Sequence, residues 1–185
     1  MTYMRRSKKN KNNKNNISQN IRIMIFIISL IIIPIWIFSR FFFIGINLSD
    51  SIDGKVFIVL KNKNYIPKNG DFIAFITKKD QQFFQNKQFF KKIIGINGDI
   101  IIRNNREYII NNNNYNYNYK ILAKTKSLKQ QDLIHWQENY KVKKEQIVVP
   151  KNHYFVATNH QDSYDSRYFG LINQSQIIGR GWIIW

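Results

Sequence analysis

The sequence contains no cysteine, and acidic residues are scarce: 11 Asp and Glu stand against 29 Lys and Arg, which gives a formal net charge of +18. The missing cysteines exclude disulfide bonds, thiolate zinc sites and a cysteine nucleophile, and they leave the redox compartment open. Excess positive charge is typical of proteins that bind nucleic acid or anionic lipid. Here Lys, Asn and Ile are over-used together, as an AT-rich genome would produce. Only the basic cluster at the N-terminus therefore invites a specific interpretation.

Long uncharged apolar runs are also missing, with one exception. Residues 23–38 read IMIFIISLIIIPIWIF, and the apolar character resumes after Arg40. A membrane-spanning helix needs about 20 apolar residues, and Arg22 and Arg40 can reach the interface from either end. A buried core helix would show a polar face, and a cleaved signal peptide would be followed by small residues rather than by Ser-Arg-Phe-Phe-Phe. We therefore predict an uncleaved transmembrane signal-anchor helix over residues 21–44.

Basic residues precede this helix and set its expected orientation. By the positive-inside rule, the tail of residues 1–20 is cytoplasmic and the domain from residue 45 onward is periplasmic or otherwise extracytoplasmic. The prediction is a single-pass protein of the inner (cytoplasmic) membrane. The tail is of low complexity, so we expect it to be disordered and to touch anionic lipid.

Beyond the helix the chain is a series of short β-rich runs separated by turn signals. One of the turns, Asn97-Gly98, is of the hairpin type. Helical periodicity is weak after residue 45, which predicts a mostly β domain over residues 45–185. The predicted strands cover residues 55–60, 71–76, 89–96, 99–102, 147–149, 154–157 and 177–185.

Residues 104–146 differ from the rest of the domain because they are polar and rich in Asn and Lys, and include the stretch NNNNYNYNY. We interpret them as a variable hairpin insertion with a flexible tip. The alternating Asn and Tyr could stack nucleic acid bases. A low-complexity loop is the favoured interpretation, and no nucleic acid partner is expected.

Two serines stand one residue apart in the stretch NLSDSIDG, residues 47–54. Ser, Asp, Asn and Gly favour turns because their side chains bond nearby backbone groups and tolerate unusual dihedral angles. Taken alone, this window favours a turn, and a nucleophilic serine is the less favoured alternative. Other segments of the chain have to decide between them.

A lysine that opens an otherwise apolar strand is such a segment. Lys91 and Lys92 begin the run KKIIGINGD, and successive residues of a strand point to opposite faces. If Lys92 is solvated, Lys91 faces the apolar interior, where desolvation favours its neutral form. A neutral lysine can act as the general base for a serine hydroxyl, provided that its pKa falls from about 10.4 to roughly 7–8.

Together with SYDSRYFG and IIGRGWIIW near the C-terminus, these segments resemble the type I signal peptidases. The order of anchor, N-x-S-x-S, K-K-I-I-G-x-x-G-D and S-x-D-S-R-Y-F-G covers nearly all of the chain from residue 23 onward. Within that superfamily the chain is most similar to the conjugative-transfer (TraF-type) enzymes, because of the N-x-S-x-S motif and the short aromatic tail. The resemblance implies a convoluted antiparallel β-barrel or sheet domain behind one transmembrane helix.

The resemblance also implies roles for individual residues. Ser51 matches the nucleophile and Lys91 its general base. Ser49 matches the residue whose hydroxyl helps to form the oxyanion hole, beside the backbone N–H of Ser51. Ser163 matches a serine that orients the lysine.

Further residues match structural features of the family. Asp165 and Arg167 match an ion pair behind the site, and Gly98-Asp99 and Gly70-Asp71 match turns of the fold. The chain departs from the family pattern near the nucleophile, because Ile52-Asp53 stand in the region where a proline is common, and Asp53 adds a charge there. Its negative charge would tend to keep Lys91 protonated if the two groups approached.

The function implied is a membrane-anchored Ser-Lys serine endopeptidase that needs no cofactor and processes exported precursor proteins, such as pilin precursors. Alternatives are a housekeeping signal peptidase I, an inactive single-pass scaffold, and a self-cleaving repressor-type peptidase, against which the anchor argues. Membrane lipid is the other expected partner. No metal site is predicted, because His135, His153 and His160 lack ligand spacing.

Overall fold

The computed structural model describes residues 2–47, 51–78, 85–104, 106–112, 117–122, 146–160 and 163–185 of the chain. It divides into two compact units, Met1–Phe41 and Phe42–Trp185.

The N-terminal unit is one helix, α1, over Thr2–Phe41. The tail of residues 1–20 was expected to be disordered, and this expectation is wrong for the described backbone, which is helical from Thr2. No Gly or Pro interrupts the tail, so the helix continues backwards from its apolar half without a break. The segment Gln19–Phe41 is 23 residues long, its most apolar stretch has a mean hydropathy of 2.7, and it is long and apolar enough to cross a membrane.

The predicted helix end at residue 44 is also wrong. The second unit begins at once with β1, Phe42–Ile46, which pairs antiparallel with β2, Val56–Lys61. Residues 42–44 are apolar and aromatic, which suits a strand as well as a helix. Their pairing with residues 58–60 decides between the two structures.

Seven strands form the larger sheet, in the order β1-β2-β11-β3-β4-β9-β10, with antiparallel neighbours throughout. This order places β4 inside the sheet, between β3 and β9. The strands beyond β2 that have not yet been given are β3 Phe72–Ile76, β4 Gln88–Gly95, β9 His153–Val156, β10 Ile172–Asn173 and β11 Ile177–Ile183.

A smaller sheet of four antiparallel strands has the order β7-β6-β5-β8. Two of its strands, β6 and β7, lie within the predicted insertion of residues 104–146 and pair with each other, while residues 113–116 and 123–145 lie outside the described part. The four strands are β5 Ile100–Asn104, β6 Glu107–Asn112, β7 Tyr117–Leu122 and β8 Gln146–Val148.

Asn97-Gly98 does form a turn, in which the backbone N–H of Asp99 donates to the carbonyl of Ile96 at 3.0 Å. The hairpin expected there is wrong, because β4 and β5 belong to different sheets. Long-range bonds determine this path: the N–H of Gly98 donates to the carbonyl of Val149, and the N–H of Val149 donates to that of Asp99. The turn therefore passes the chain from one sheet to the other.

The core has two principal clusters on opposite sides of β4. Ile94 packs with side chains of the smaller sheet, whereas Ile93 packs with Ile73 and Phe75 of β3. A short helix, α2, over Ser166–Phe169 contributes to both clusters through Tyr168 and Phe169. The period-2 alternation of β4 thus gives one apolar side chain to each cluster.

Close approach of strands depends on Gly179 of β11. A β-carbon added at this residue would lie 1.9 Å from the carbonyl oxygen of Leu60 on β2. The backbone cannot yield there without disturbing the pairing of β11 with both β2 and β3.

We expect Gly179→Ala to lower the free energy of unfolding by about 1–3 kcal/mol, the usual cost of forcing atoms into a packed interior. Urea unfolding of the full chain in detergent, followed by tryptophan fluorescence, measures the change. Lys63→Ala, at an exposed residue beyond β2, is the control and should change stability by less than about 0.5 kcal/mol. Equal stability of the two variants would contradict the close approach.

Candidate active site

Ser51 lies in the connection between β1 and β2 and is 7% exposed. A serine whose only task is to bond its own turn does not need such burial. Residues 48–50, which include the predicted oxyanion residue Ser49, lie outside the described part of the chain. Because Ser51 is buried, the alternative that the sequence favoured locally, a surface turn without further contacts, does not describe its environment.

Lys91 lies on β4 with its side chain inside the protein. It is 3% exposed, whereas its neighbour Lys92 is exposed, as the alternation of the strand predicted. Phe89 and Ile93 share the face of Lys91, and Ile73 lies directly opposite on β3. The ring centre of Phe89 is 6.0 Å from the Lys91 Nζ. Apolar side chains therefore flank the lysine along its face of the strand.

Two serine hydroxyls are within hydrogen-bond distance of this lysine. The Lys91 Nζ donates to Ser51 Oγ at 2.8 Å and to Ser163 Oγ at 2.9 Å. The three residues are separated by 40 and 72 positions in the sequence. The structure thus brings together the serine and lysine side chains that the resemblance singled out, with Ser163 on the second side of the amine.

Burial lowers the pKa of Lys91 to about 8, because the ammonium form loses its hydration. The negative charge of Asp165 raises this pKa and the positive charge of Arg167 lowers it. The carboxylate that acts on the lysine is thus Asp165, while Asp53 is exposed. A lysine of this pKa carries a substantial neutral fraction near pH 8, as a general base requires.

Asp165 and Arg167 form an ion pair that is fully buried on both sides. The Arg167 Nη2 donates to Asp165 Oδ2 at 2.6 Å, and its Nε donates to Asp165 Oδ1 at 2.8 Å. Asp165 also caps α2, since its Oδ1 accepts from the backbone N–H of Arg167. This two-pronged geometry satisfies the charges in an environment that would otherwise penalise them.

The same guanidinium fixes the segment that carries Ser163. Its Nη2 also donates to the carbonyl of His160 at 2.9 Å and to that of Ser163 at 3.2 Å. From the other side, the Tyr108 hydroxyl donates to the carbonyl of Arg167 at 3.0 Å. Arg167 therefore connects the position of the Ser163 hydroxyl to the buried core.

Asp71, which the resemblance placed at a turn of the fold, is held in that turn by several polar contacts. Its carboxylate accepts hydrogen bonds from the Tyr65 hydroxyl and from the backbone N–H of Lys68, and it pairs with Arg180 at 2.9 Å. Burial and the neighbouring carboxylate raise the pKa of Tyr65 to about 12. This cluster braces the turn before β3.

An aromatic group beside the lysine was missed by the sequence analysis. Phe89, Tyr164 and Phe169 pack with ring centres 5.6–6.4 Å apart, and Tyr164 stacks on Tyr168. The alternation Phe89-x-Lys91 was a signal for one member, because both residues must share a face. In the described part of the chain, no group of three or more His, Asp or Glu side chains is placed to hold a metal ion. His135 lies outside that part.

Comparison with known proteins shows the family of this chain. The model of the family described as "Signal peptidase, peptidase S26" matches residues 17–185, and the chain belongs to that family. A "Signal peptidase I" of Buchnera aphidicola is 38% identical over 68 residues, which are 36% of this chain and 21% of that protein. The match therefore spans about a fifth of that relative. A crystal structure of a signal peptidase I from Enterococcus faecalis has 22% identity and a TM-score of 0.37, over 63% of this chain and 97% of that one.

We expect Arg167→Met to lower the free energy of unfolding by about 3–5 kcal/mol, because it leaves the Asp165 carboxylate buried without its partner. Urea unfolding in detergent measures the loss. Arg180→Met is the control, since Arg180 is 42% exposed in its ion pair and its partner Asp71 keeps the hydrogen bonds from Tyr65 and Lys68, so we expect a smaller loss of about 1 kcal/mol. A similar small loss for both variants would contradict a structural role of the buried pair.

Proposed function

We propose that the protein is a membrane-anchored serine endopeptidase that cleaves exported precursor proteins, with Ser51 as nucleophile and Lys91 as general base. The observation that carries the proposal is the hydrogen bond between a buried lysine of lowered pKa and the hydroxyl of Ser51. Family membership supports the reaction class. The amine requires no cofactor to activate the hydroxyl.

The first half of the reaction forms an acyl-enzyme. Neutral Lys91 accepts the hydroxyl proton of Ser51 while the Oγ attacks the scissile carbonyl carbon. The backbone N–H of Ser51 and the hydroxyl of Ser49 are the proposed donors to the oxyanion, and one such donor typically contributes about 10²–10³ in rate. The peptide C–N bond then breaks, and the protonated Lys91 gives its proton to the leaving amine.

The second half regenerates the enzyme. Neutral again, Lys91 accepts a proton from water, whose oxygen attacks the acyl carbon and displaces Ser51, which takes the proton back. Ser163 keeps the amine pointed at the reacting oxygen, because its hydroxyl holds the Nζ at 2.9 Å. The Asp165–Arg167 pair supports this arrangement and does not touch the substrate in the proposed reaction.

The proposed location follows from the N-terminal helix. With the basic tail in the cytoplasm, the second unit acts outside the inner membrane as part of a single-pass protein. A precursor whose signal segment lies in the same membrane then meets the site at raised effective concentration. We propose that it binds as an added strand, with small side chains before the cleavage point.

The proposed substrates are pilin precursors of a conjugative or type IV secretion system. The N-x-S-x-S motif and the aromatic tail support this branch. The similarity to a Buchnera signal peptidase I favours ordinary secretory precursors as the second candidate. In the conjugative case an amine of the pilin could replace water and join the ends of the chain, which would give a product lighter than the linear form by one water.

We expect Ser51→Ala and Lys91→Met each to lower kcat by about 10⁴-fold or more, the scale seen when a serine hydrolase loses its nucleophile or base. Detergent-solubilised enzyme is incubated with prepilin and generic secretory precursors, and the products are weighed by mass spectrometry. Lys92→Met is the matched control, because Lys92 is the exposed neighbour on the same strand, and it should cleave like the wild type.

The outcomes separate the candidate functions. Preference for prepilin supports the conjugative branch, and equal or better cleavage of secretory precursors supports the housekeeping one. Wild type and both variants behaving alike would contradict the peptidase and leave the inactive scaffold.

The pH profile tests the state of the lysine. Because Lys91 must be neutral to accept the serine proton, kcat/KM should rise with pH and level off above the pKa of about 8. Below that value we expect about a tenfold fall per pH unit. Lys92→Met should give the same profile. A midpoint near the ordinary lysine value of about 10.4, or near the histidine value of about 6.5, would contradict Lys91 as the base.

A further inference from the structure

Ser51 is held by a loop, whereas Lys91 is held by a sheet. The pairing of β1 with β2 ends at Ile46 and Val56. One more bond, from the backbone N–H of Asn47 to the carbonyl of Lys55 at 2.7 Å, closes the base of the loop. Residues 51–54, the described part of this loop, belong to no strand. Strand pairing therefore does not fix the height or direction at which Ser51 meets the lysine.

The side chain of Asn47, at the start of this loop, forms hydrogen bonds to the backbone near its end. Its Nδ2 donates to the carbonyl of Ile52 at 3.1 Å and to that of Gly54 at 3.2 Å. Both acceptors come shortly after Ser51 in the sequence, Ile52 one position later and Gly54 three positions later. A single half-buried amide group thus connects the start of the loop to the segment that leaves the serine.

The outer side of the loop is fixed independently. Gly54 has a φ of +130°, and a β-carbon there would lie 2.3 Å from Ile183 of β11. The backbone N–H of Val56 donates to the oxygen of Trp185 at 2.7 Å. The end of the loop, at Gly54 and Val56, therefore packs against the C-terminal end of β11. The Asn47 amide holds the same part of the loop through its hydrogen bonds.

We propose that Asn47 is a positioning residue for the nucleophile, whose amide holds the loop so that the Ser51 Oγ stays within hydrogen-bond distance of the Lys91 Nζ. This inference rests on the proposed peptidase function. Asn47 is not placed against the reacting atoms, and it acts through the backbone of residues 52–54. The 2.8 Å separation of Oγ and Nζ leaves little tolerance, since misplacement by 1 Å can cost on the order of 10²-fold in rate.

The chemistry of the side chain decides which variants are informative. Asp has the shape of Asn and lacks the N–H donors, so its oxygens would face two carbonyl oxygens. Ala removes both the donors and the volume. If the donors matter, Asn47→Asp is at least as damaging as Asn47→Ala. If Asn47 only fills space, Asn47→Asp stays close to the wild type and Asn47→Ala is the worse variant.

The experiment compares full-length wild type, Asn47→Asp and Asn47→Ala in detergent. We expect kcat for the cleaved precursor to fall by about 10²-fold in Asn47→Asp, with KM little changed, because the effect acts on the reacting atoms and not on substrate binding. The midpoint of the pH profile should stay where the wild type has it, because Lys91 itself remains buried. A midpoint displaced upward would mean that water has entered the site, and it would overturn the positioning role.

Asn173→Ala is the matched control. Asn173 caps a short 3-10 turn at Gln174–Gln176 through its side chain, away from the serine loop. This variant should lose thermal stability without losing kcat. An equal loss of kcat in Asn173→Ala and Asn47→Ala would overturn the inference, because it would show that general destabilisation causes the effect.

A second readout does not depend on activity. Hydrogen exchange measured by mass spectrometry should be faster for peptides covering residues 48–54 in both Asn47 variants, and unchanged around β4. Unchanged exchange in the loop overturns the role of Asn47 even if no precursor is cleaved. Absence of cleavage by the wild type contradicts the proposed function alone, and an active wild type matched by Asn47→Asp contradicts the Asn47 inference alone.

Discussion

The burial of one amine in an apolar part of the larger sheet is the constraint on which the rest of the site depends. Lys91 is 3% exposed on a strand inside the sheet, beside the ring of Phe89. Each unit by which its pKa falls represents about 1.4 kcal/mol of lost preference for the charged form. That penalty is a cost to folding in any state where the lysine is protonated. A chain that only needed a stable strand would place an aliphatic side chain here, so the cost supports the proposed role of Lys91 as a neutral amine.

A carboxylate near such a lysine would cancel the effect of burial, and the site contains one. Asp165 raises the pKa of Lys91, but its charge is shared with Arg167, whose own charge lowers that pKa. The ion pair can therefore stand behind the amine as a nearly neutral group. Its remaining hydrogen bonds run to the carbonyls of His160 and Ser163, so the arginine that offsets the carboxylate also holds the second hydroxyl on the lysine. Electrostatics and positioning come from one side chain.

Local sequence rules predicted some features of this chain correctly, whereas the long-range strand pairing could not be predicted from the sequence. The inward direction of Lys91 follows from the period of a strand, and the turn at Asn97-Gly98 from its residue types, so both could be predicted. Which strands that turn connects could not, because bonds to Val149, some 50 positions away, send the chain into another sheet. The end of the helix was misjudged for the same reason, since residues 42–44 suit either structure until β2 pairs with them. The contact of Ser51 with Lys91 was reached only through the order of the motifs, and the packing of Tyr164 beside it had no local signal.

The two proposed catalytic groups are held by different kinds of structure, and this difference shows where the site is sensitive. Lys91 lies on β4, which pairs with β3 on one side and, from Ile93 onward, with β9 on the other, so moving it would disturb this pairing. Ser51 lies in a loop that the Asn47 amide and the end of the chain after β11 help to hold. Loops that carry functional residues generally open at a lower free energy than paired core strands. The relative position of nucleophile and base is therefore governed by the loop. Asn47 restrains that loop through the backbone of Ile52 and Gly54, the residues that follow the proposed nucleophile.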